Sequence, residues 1–506
     1  MTNHKDAHHK AISIGGHIAQ RTTTMNINDD LLVEIFDAYR VDNINPSTYP
    51  RNWWYKFAHV CQRWRRVLFA SPGRLGVTLV CNSRTPVGDL LANSPPLPLI
   101  IYWGNPGTLD SEGSVKNIHV ALQHYDRVCR ITLRMPESSL RDVFKSMKGD
   151  FPMLETLQLH CTSVNNSHGK LSSTFGAPNL RHLQLSDFTL LPPRPLSRLL
   201  NGDTSYPSIV TFSLGEITPD LPPKRLAEYL SLMPNLKVLK IGILSLTYSP
   251  VRERDNGNQP GQQVSRPTLL AGLEELQYQG GTNYLEGLAA LIGAPSLKKL
   301  SITFTNYISA VISNPTTPLH SSATTVFQNL PTLITEAWDL KFHFARVRYR
   351  DGFSIVMDHN ELWTGRGAFE LRFNPGRSVS EHDVKLMVEI CRLLAPMPST
   401  VQSLLLEDGE SSNFDPKIDR KMWHDLLRLF NNIGTLRVAR RFADDLDRSL
   451  QPDDEGRATV LTLLPKLQEI VRYGSDKEFA AFVEARRVAG SPVRVVSGPK
   501  NRLSVV

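Results

Sequence analysis

The sequence predicts an α+β protein in which a short N-terminal helical module is followed by an irregular α/β solenoid. Three observations predict it. Residues 27–70 place apolar side chains at helical spacings, an apolar-x-x-apolar-x-apolar pattern recurs from residue 151 onward, and helical or turn signals fill the intervals. The 506 residues are 41% hydrophobic and 21% charged, a globular composition with enough apolar material for a large core.

Residues 1–25 are polar and rich in His and Thr, and are expected to form a disordered tail, as are 499–506. The first helical segment, NINDDLLVEIFDAYR, sets Leu31, Leu32, Ile35, Phe36 and Tyr39 at helical spacing. Asn28 or Asp29 can cap its start, where acidic side chains are also favoured. In the second segment, a continuous helix over 53–68 turning ~100° per residue gathers Trp53, Trp54, Phe57, Val60, Cys61, Trp64, Val67 and Leu68 into an arc of roughly 140°. Lys56, His59, Gln62, Arg63, Arg65 and Arg66 lie outside it. Aromatics and cations are thus segregated, whereas a base-stacking platform interleaves them. The basic side is expected to be solvated or paired with the acids of the preceding segment. A module of about 45 residues cannot bury so much aromatic surface alone, so the rest of the chain or a partner must cover it.

Residues 76–125 read as a linking or capping segment, with strand-like runs (RLGVTLVC, LPLIIYW) and a helix around 115–125. The solenoid is expected over 126–498. Its clearest copies are FPMLETLQL, APNLRHLQL, YPSIVTFSL, MPNLKVLKI, LAGLEELQY and APSLKKLSI, whose first apolar positions are Leu154, Leu180, Ile209, Leu236, Leu273 and Leu297. Weaker copies are RVCRITL, STVQSLLL, NIGTLRV and LPKLQEI. In each copy the last two apolar residues point to one side of a short strand and the residue between them to the other. A returning segment such as RPLSRLLNG or PPKRLAEYLSLM must cover the apolar side. No unit buries that side alone, so the units must stack. Parallel strands then line a concave face presenting Gln158, His160, Gln184, Ser186, Ser213, Lys240, Gln277, Gln279, Ser301 and Thr303. This polar mixture suits a protein or peptide ligand, or is a plain solvated face. The polar insertion at about 249–268 is expected to be a mobile loop. Residues 335–375 alternate as strands that continue or bend the sheet, and the chain closes with a helix (DKEFAAFVEARRVAG) and a strand (VRVV).

Signs of chemistry are sparse. The net charge of +8 is dispersed and partly carried by the tails, which argues against a polyanion partner. The five cysteines, odd in number and without C-x-x-C spacing, suit reduced thiols in the cytosol or nucleus. No nucleotide loop, nucleophile elbow or metal-binding helix motif occurs, and no apolar run is long enough to span a membrane. His4, His8 and His9 lie in the tail, Ser380–Asp383 reads as a helix cap, and Cys391 as core. No catalytic residue, metal or cofactor is assigned.

Two short runs carry a family resemblance. Ile27-Asn28-Asp29-Asp30-Leu31-Leu32 followed by Ile35-Phe36, and later Val60-Cys61-Gln62-Arg63-Trp64-Arg65, resemble the two halves of an F-box. Asn28 stands where Pro is usual, and extra residues at about 41–51 separate the halves. The repeats resemble those of the leucine-rich-repeat superfamily. With SPGRL, TPVGDLLANSPPLPLIIYW and ALQHYDRVCRITL, the whole chain is similar to the large F-box group of mushroom-forming (basidiomycete) fungi. The resemblance implies an F-box-like module at 26–75 and a non-catalytic substrate receptor of an SCF-type ubiquitin ligase. Its partners would be a Skp-type adaptor, the cullin scaffold and a protein substrate, with neither nucleic acid nor membrane. It also implies that Leu31, Leu32, Ile35, Phe36, Val60, Trp64 and Val67 form the adaptor interface or its supporting core. Trp53 and Trp54 match no family position and are expected to seal the F-box against the first repeats. The alternative is a leucine-rich-repeat scaffold outside any SCF complex, with the same helices as an N-terminal cap.

Overall fold

Leu154, Leu180, Ile209, Leu236, Leu273 and Leu297, the residues that open the repeats, are all buried in the computed structural model of the protein. It describes residues 27–42, 54–70, 75–94, 96–104, 112–162, 175–186, 206–217, 221–243, 267–305, 329–330, 342–349, 353–359, 368–374, 388–389, 391–392, 397–408, 420–451, 462–473 and 479–498. Each opening residue donates its backbone N–H to the carbonyl three residues earlier, from Leu154 to Phe151 through Leu297 to Ala294. The same turn recurs at Val401, Ile433 and Leu467 in the weaker copies. The repeat is therefore a turn that releases the chain into a strand. Successive turns are laced together by Asn side chains: Asn179 Nδ2 donates to the Pro152 carbonyl at 2.7 Å and Asn235 Nδ2 to that of Pro207 at 2.8 Å.

Three helices lead: α1 (Asp29–Asp42), α2 (Trp54–Ala58) and α3 (Gln62–Ala70). The strands of one large sheet follow: β1 (Val77–Val80), β2 (Leu99–Trp103), β3 (Val128–Met135), β5 (Thr156–Cys161), β7 (His182–Ser186), β8 (Thr211–Ile217), β9 (Val238–Ile243), β11 (Glu275–Gly280) and β13 (Lys299–Thr305). Its second half holds β14 (Phe344–Tyr349), β15 (Phe353–Asp358), β16 (Phe369–Asn374), β17 (Ser403–Asp408), β18 (Thr435–Ala439), β19 (Glu469–Tyr473) and β20 (Arg494–Ser497). Two small ladders, β4 (Gly149–Asp150) with β6 (Phe175–Gly176) and β10 (Thr268–Leu269) with β12 (Ile292–Gly293), form beside it. Among the described residues the sheet has sixteen strands in the order β1-β2-β3-β5-β7-β8-β9-β11-β13-β16-β15-β14-β17-β18-β19-β20.

Helices fill many of the crossovers: α4 (Val87–Asn93), α5 (Glu112–Leu122), α6 (Glu137–Ser146), α7 (Pro223–Ser231), α8 (Thr282–Ala289), α9 (Arg420–Leu429), α10 (Arg440–Leu450) and α11 (Ala480–Val488). Parallel neighbours need such long returns. Their apolar stripes, such as Leu226 and Leu230 of α7 and Leu285 and Leu288 of α8, join Leu239, Leu276 and Leu300 of the strands in one continuous core. The helices thus cover one face of the sheet and leave the polar residues on the other. Among the described residues no helix is long and apolar enough to cross a membrane.

One expectation changes and another gains detail. Residues 76–125, read as a linking or capping segment, supply β1 and β2 of the main sheet, with α4 and α5 beside them. These strand-like runs stand ahead of residue 126, where the repeat pattern is read to begin, so nothing local joins them to it. In the second half, β15 runs antiparallel to both β14 and β16, while β14 lies parallel to β17 and β16 parallel to β13. The three residues between β14 and β15 are too few for a parallel crossover, so that pair must be a hairpin. The segment expected to continue or bend the sheet does so by inserting this meander. The helix expected at RPLSRLLNG, the tails, the Ser380–Asp383 cap, Trp53 and nearly all of the 249–268 insertion lie outside the described residues; Thr268 opens β10.

Candidate functional site

The N-terminal helices are built around an aromatic cluster. Phe36 of α1 lies 5.0 Å from Phe57 of α2 and 5.4 Å from Trp64 of α3, ring centre to ring centre, with Phe57 5.8 Å from Trp64 and 4.9 Å from Tyr39. Asn28 caps α1: its Oδ1 accepts the backbone N–H of Asp30 at 3.3 Å, and its own carbonyl accepts that of Leu32 at 3.0 Å. A cap needs a short polar acceptor, which Asn supplies and Pro could not.

The single helix over 53–68 on which the projection rests is divided in two. α2 stops at Ala58, Val60 donates back to the Phe57 carbonyl at 3.2 Å, and α3 begins at Gln62. Arg65 Nε closes the end of α2 by donating to the Ala58 carbonyl at 2.8 Å, and Cys61 Sγ accepts the Trp64 N–H at 3.5 Å as the cap of α3. The turn swings Val60 and Cys61 out of the apolar arc in which the helical projection placed them. Cys61 is exposed and Val60 is 55% exposed, so Val60 is no part of the supporting core. The break comes from capping contacts between α2 and α3, which a uniform 100° projection has no means to register.

The acids and cations pair as expected. Arg63 reaches from α3 to Asp29 at the start of α1, with Nη2 at 2.6 Å and Nε at 3.0 Å from the same carboxylate oxygen, and Nη2 also donates to the Ile27 carbonyl at 2.5 Å. Both side chains are partly exposed, so solvent screens the pair. Arg63→Ala is expected to cost only about 0.5–1 kcal/mol in urea denaturation, with the three helices retained by circular dichroism.

Burial sorts the remaining motif residues. Leu32, Phe36 and Val67 are core, Trp64 is packed against that core but only partly buried, and Leu31 and Ile35 stand 48% and 38% exposed one turn apart on α1. Trp54 is buried, and its Nε1 donates to the carbonyl of Gly76 at 3.1 Å, one residue before β1. This tryptophan therefore joins the helical module to the sheet, as the sealing role required.

The second surface is the polar face of the sheet. A single cross-strand row passes through all sixteen strands: Val80, Tyr102, Thr132, Gln158, Gln184, Ser213, Lys240, Gln277, Ser301, Glu370, Val356, Arg346, Leu405, Arg437, Val471 and Val496. Six of the ten residues expected on this face lie in it. The other four lie two residues further along their strands, in a second row that a register shift between β8 and β9 divides: His160 and Ser186 stand with Arg134 on one side, and Gln279 and Thr303 with Arg372, Ser354, Arg348 and Glu407 on the other. All ten thus share one face. Thr132 Oγ1 donates to Gln158 Oε1 at 3.1 Å and Ser301 Oγ to Glu370 Oε2 at 3.1 Å. Ser186, at 9% exposure, is more enclosed than a solvated face would leave it.

Of the charged members of these rows only Lys240 is named from the sequence; Arg134, Arg346, Arg348, Glu370, Arg372, Glu407 and Arg437 emerge from the register. The signal was available, since FARVRY and FELRF alternate as the repeats do, but these strands lack the Pro-x-Leu turn that marks a unit. Burial pushes the thiols of Cys81 and Cys391 up to about 12, leaving them protonated and unreactive at neutral pH. Among the described residues no three His, Cys, Asp or Glu side chains are grouped to hold a metal ion. No protein-family model matches the chain, and comparison with curated proteins gives no match.

Proposed function

We propose that the chain is a substrate receptor of an SCF-type ubiquitin ligase, with α1–α3 as the F-box and the sheet as an irregular leucine-rich-repeat-like solenoid. The observation that carries this reading is the split within one motif: Leu32 and Phe36 are buried, while their neighbours Leu31 and Ile35 are large, apolar and exposed on the same turn pair. Exposed apolar residues at i, i+4 on a short helix are a docking edge, and in the F-box resemblance they fall where the Skp-type adaptor binds. The polar sheet face would hold the protein substrate. Catalysis then belongs to the RING subunit and the conjugating enzyme, and the receptor acts by proximity, with an effective substrate concentration on the order of mM for a suitable span.

Co-expression with a Skp-type adaptor tests the reading. Wild type is expected to co-purify with it at moderate salt, and Leu31→Asp or Ile35→Asp to weaken the complex at least about tenfold while leaving the fold intact. A folded protein that ignores the adaptor would sink it. The second reading, a scaffold whose helices only cap the sheet, draws on the Trp54–Gly76 bond, which ties those helices to β1.

A further inference from the structure

The charge on the polar face is unevenly distributed. Its two central rows carry Arg134, Lys240, Arg346, Arg348, Arg372 and Arg437 against only Glu370 and Glu407. Four of the six cations lie within the five neighbouring strands β16, β15, β14, β17 and β18, at the meander that interrupts the parallel order. Arg348 Nε is 3.0 Å and Arg346 Nε 3.6 Å from Glu407 Oε2, while Arg372 Nη2 is 2.6 Å from Glu370 Oε1. A third carboxylate, Asp358, lies at the far end of β15 and accepts the backbone N–H of His359 at 2.7 Å. Glu407 orients two arginines and Glu370 one, yet the rows keep a cationic excess.

This is a costly arrangement for a face with only a structural role. Arg346 and Glu407 are largely buried, and burying ions costs several kcal/mol before pairing offsets it. Between them the floor is short or apolar: Ser354, Val356 and Leu405, with Ser354 and Leu405 buried. A guanidinium carries five N–H donors in a fixed fork, so an arginine that meets a glutamate through one edge can meet a ligand anion through another. From β16 to β18 is four strand spacings, about 19 Å, the length of roughly six extended residues.

We propose that this arginine-ringed part of the sheet face binds an extended anionic segment of a protein partner, its carboxylate or phosphate groups seated on Arg346, Arg348, Arg372 and Arg437. The proposal rests on the substrate-holding role of this face and names the chemistry that the face selects. Glu370 and Glu407 argue against a nucleic-acid strand, whose evenly spaced phosphates would meet both. They suit a peptide, in which anionic and neutral side chains can alternate in register with the arginines.

The test uses the full-length protein and three fluorescent, degenerate peptide pools whose central pairs are fixed as Asp-Asp, phosphoserine-phosphoserine or Gln-Gln. At least one anionic pool is expected to bind at least tenfold more tightly than the Gln-Gln pool, and the binding to weaken as salt rises. Comparing the two anionic pools identifies the preferred anion. Arg348→Gln/Arg372→Gln is expected to lose at least tenfold in affinity, about 1.4 kcal/mol, with adaptor capture unchanged. Arg437→Gln, which leaves both Glu407 pairs in place, serves as the second variant should the first fail to fold, and is expected to weaken the same pool. Equal binding of all three pools, or full retention by the folded variants, overturns the proposal. So does tighter binding of a mixed-sequence oligonucleotide through the same arginines. Because peptide binding and adaptor capture are read separately, loss of one leaves the other standing.

Discussion

Trp54→Ala is expected to destabilise the protein by about 3–5 kcal/mol, the cost of removing a large buried aromatic, and to do so unevenly. The indole is 4% exposed, lies 5.9 Å from the Phe69 ring, and donates its N–H across 22 residues to Gly76. Its loss leaves a cavity where α2, α3 and the entry to β1 meet. Hydrogen exchange should therefore show α1–α3 opening well before the sheet, as a separate cooperative unit. Trp54→Phe keeps much of the volume and removes only the donor, for an expected loss nearer 1 kcal/mol. If exchange in 27–70 is as slow in Trp54→Ala as in wild type, the helices are held by other contacts and the sealing role fails.

Leu239→Ala and Leu276→Ala are each expected to cost about 2–5 kcal/mol in urea denaturation. Both side chains are fully buried, and they are register partners on the adjacent strands β9 and β11. A cavity opened at one lies against the other, so the double variant should depart from additivity by about 0.5–3 kcal/mol. The coupling measures whether neighbouring units share one core. Additive costs, within a few tenths of a kcal/mol, would mean that each unit packs independently and that the stacked-repeat account is wrong.

Much of this architecture was legible before any coordinates. Leu157 and Leu159, or Leu183 and Leu185, lie two apart after a turn, and all four are buried with Gln158 and Gln184 between them on the polar face. Alternation with a period of two and a Pro-bearing turn are local signals, so a short window holds them. The same holds for PPKRLAEYLSLM, which became α7, and for the segregation of Arg63, Arg65 and Arg66 from Phe57 and Trp64. Less legible was the turn at His59–Cys61. It depends on an arginine side chain from the next helix closing the previous one, and neither helix alone signals it.

The sequence by itself determined where strands begin, which of their faces is apolar, and that no unit could stand alone. Each of those facts follows from side-chain order along a few neighbouring residues. Only the tertiary structure decided which residues meet. It joined β1 and β2 to the same sheet, reversed β15 between β14 and β16, and brought Arg372, Arg348 and Glu407 into one row across connections of very different length. Register between strands is set by packing and hydrogen bonds over tens of residues of intervening chain, and those contacts exist only once the chain has folded.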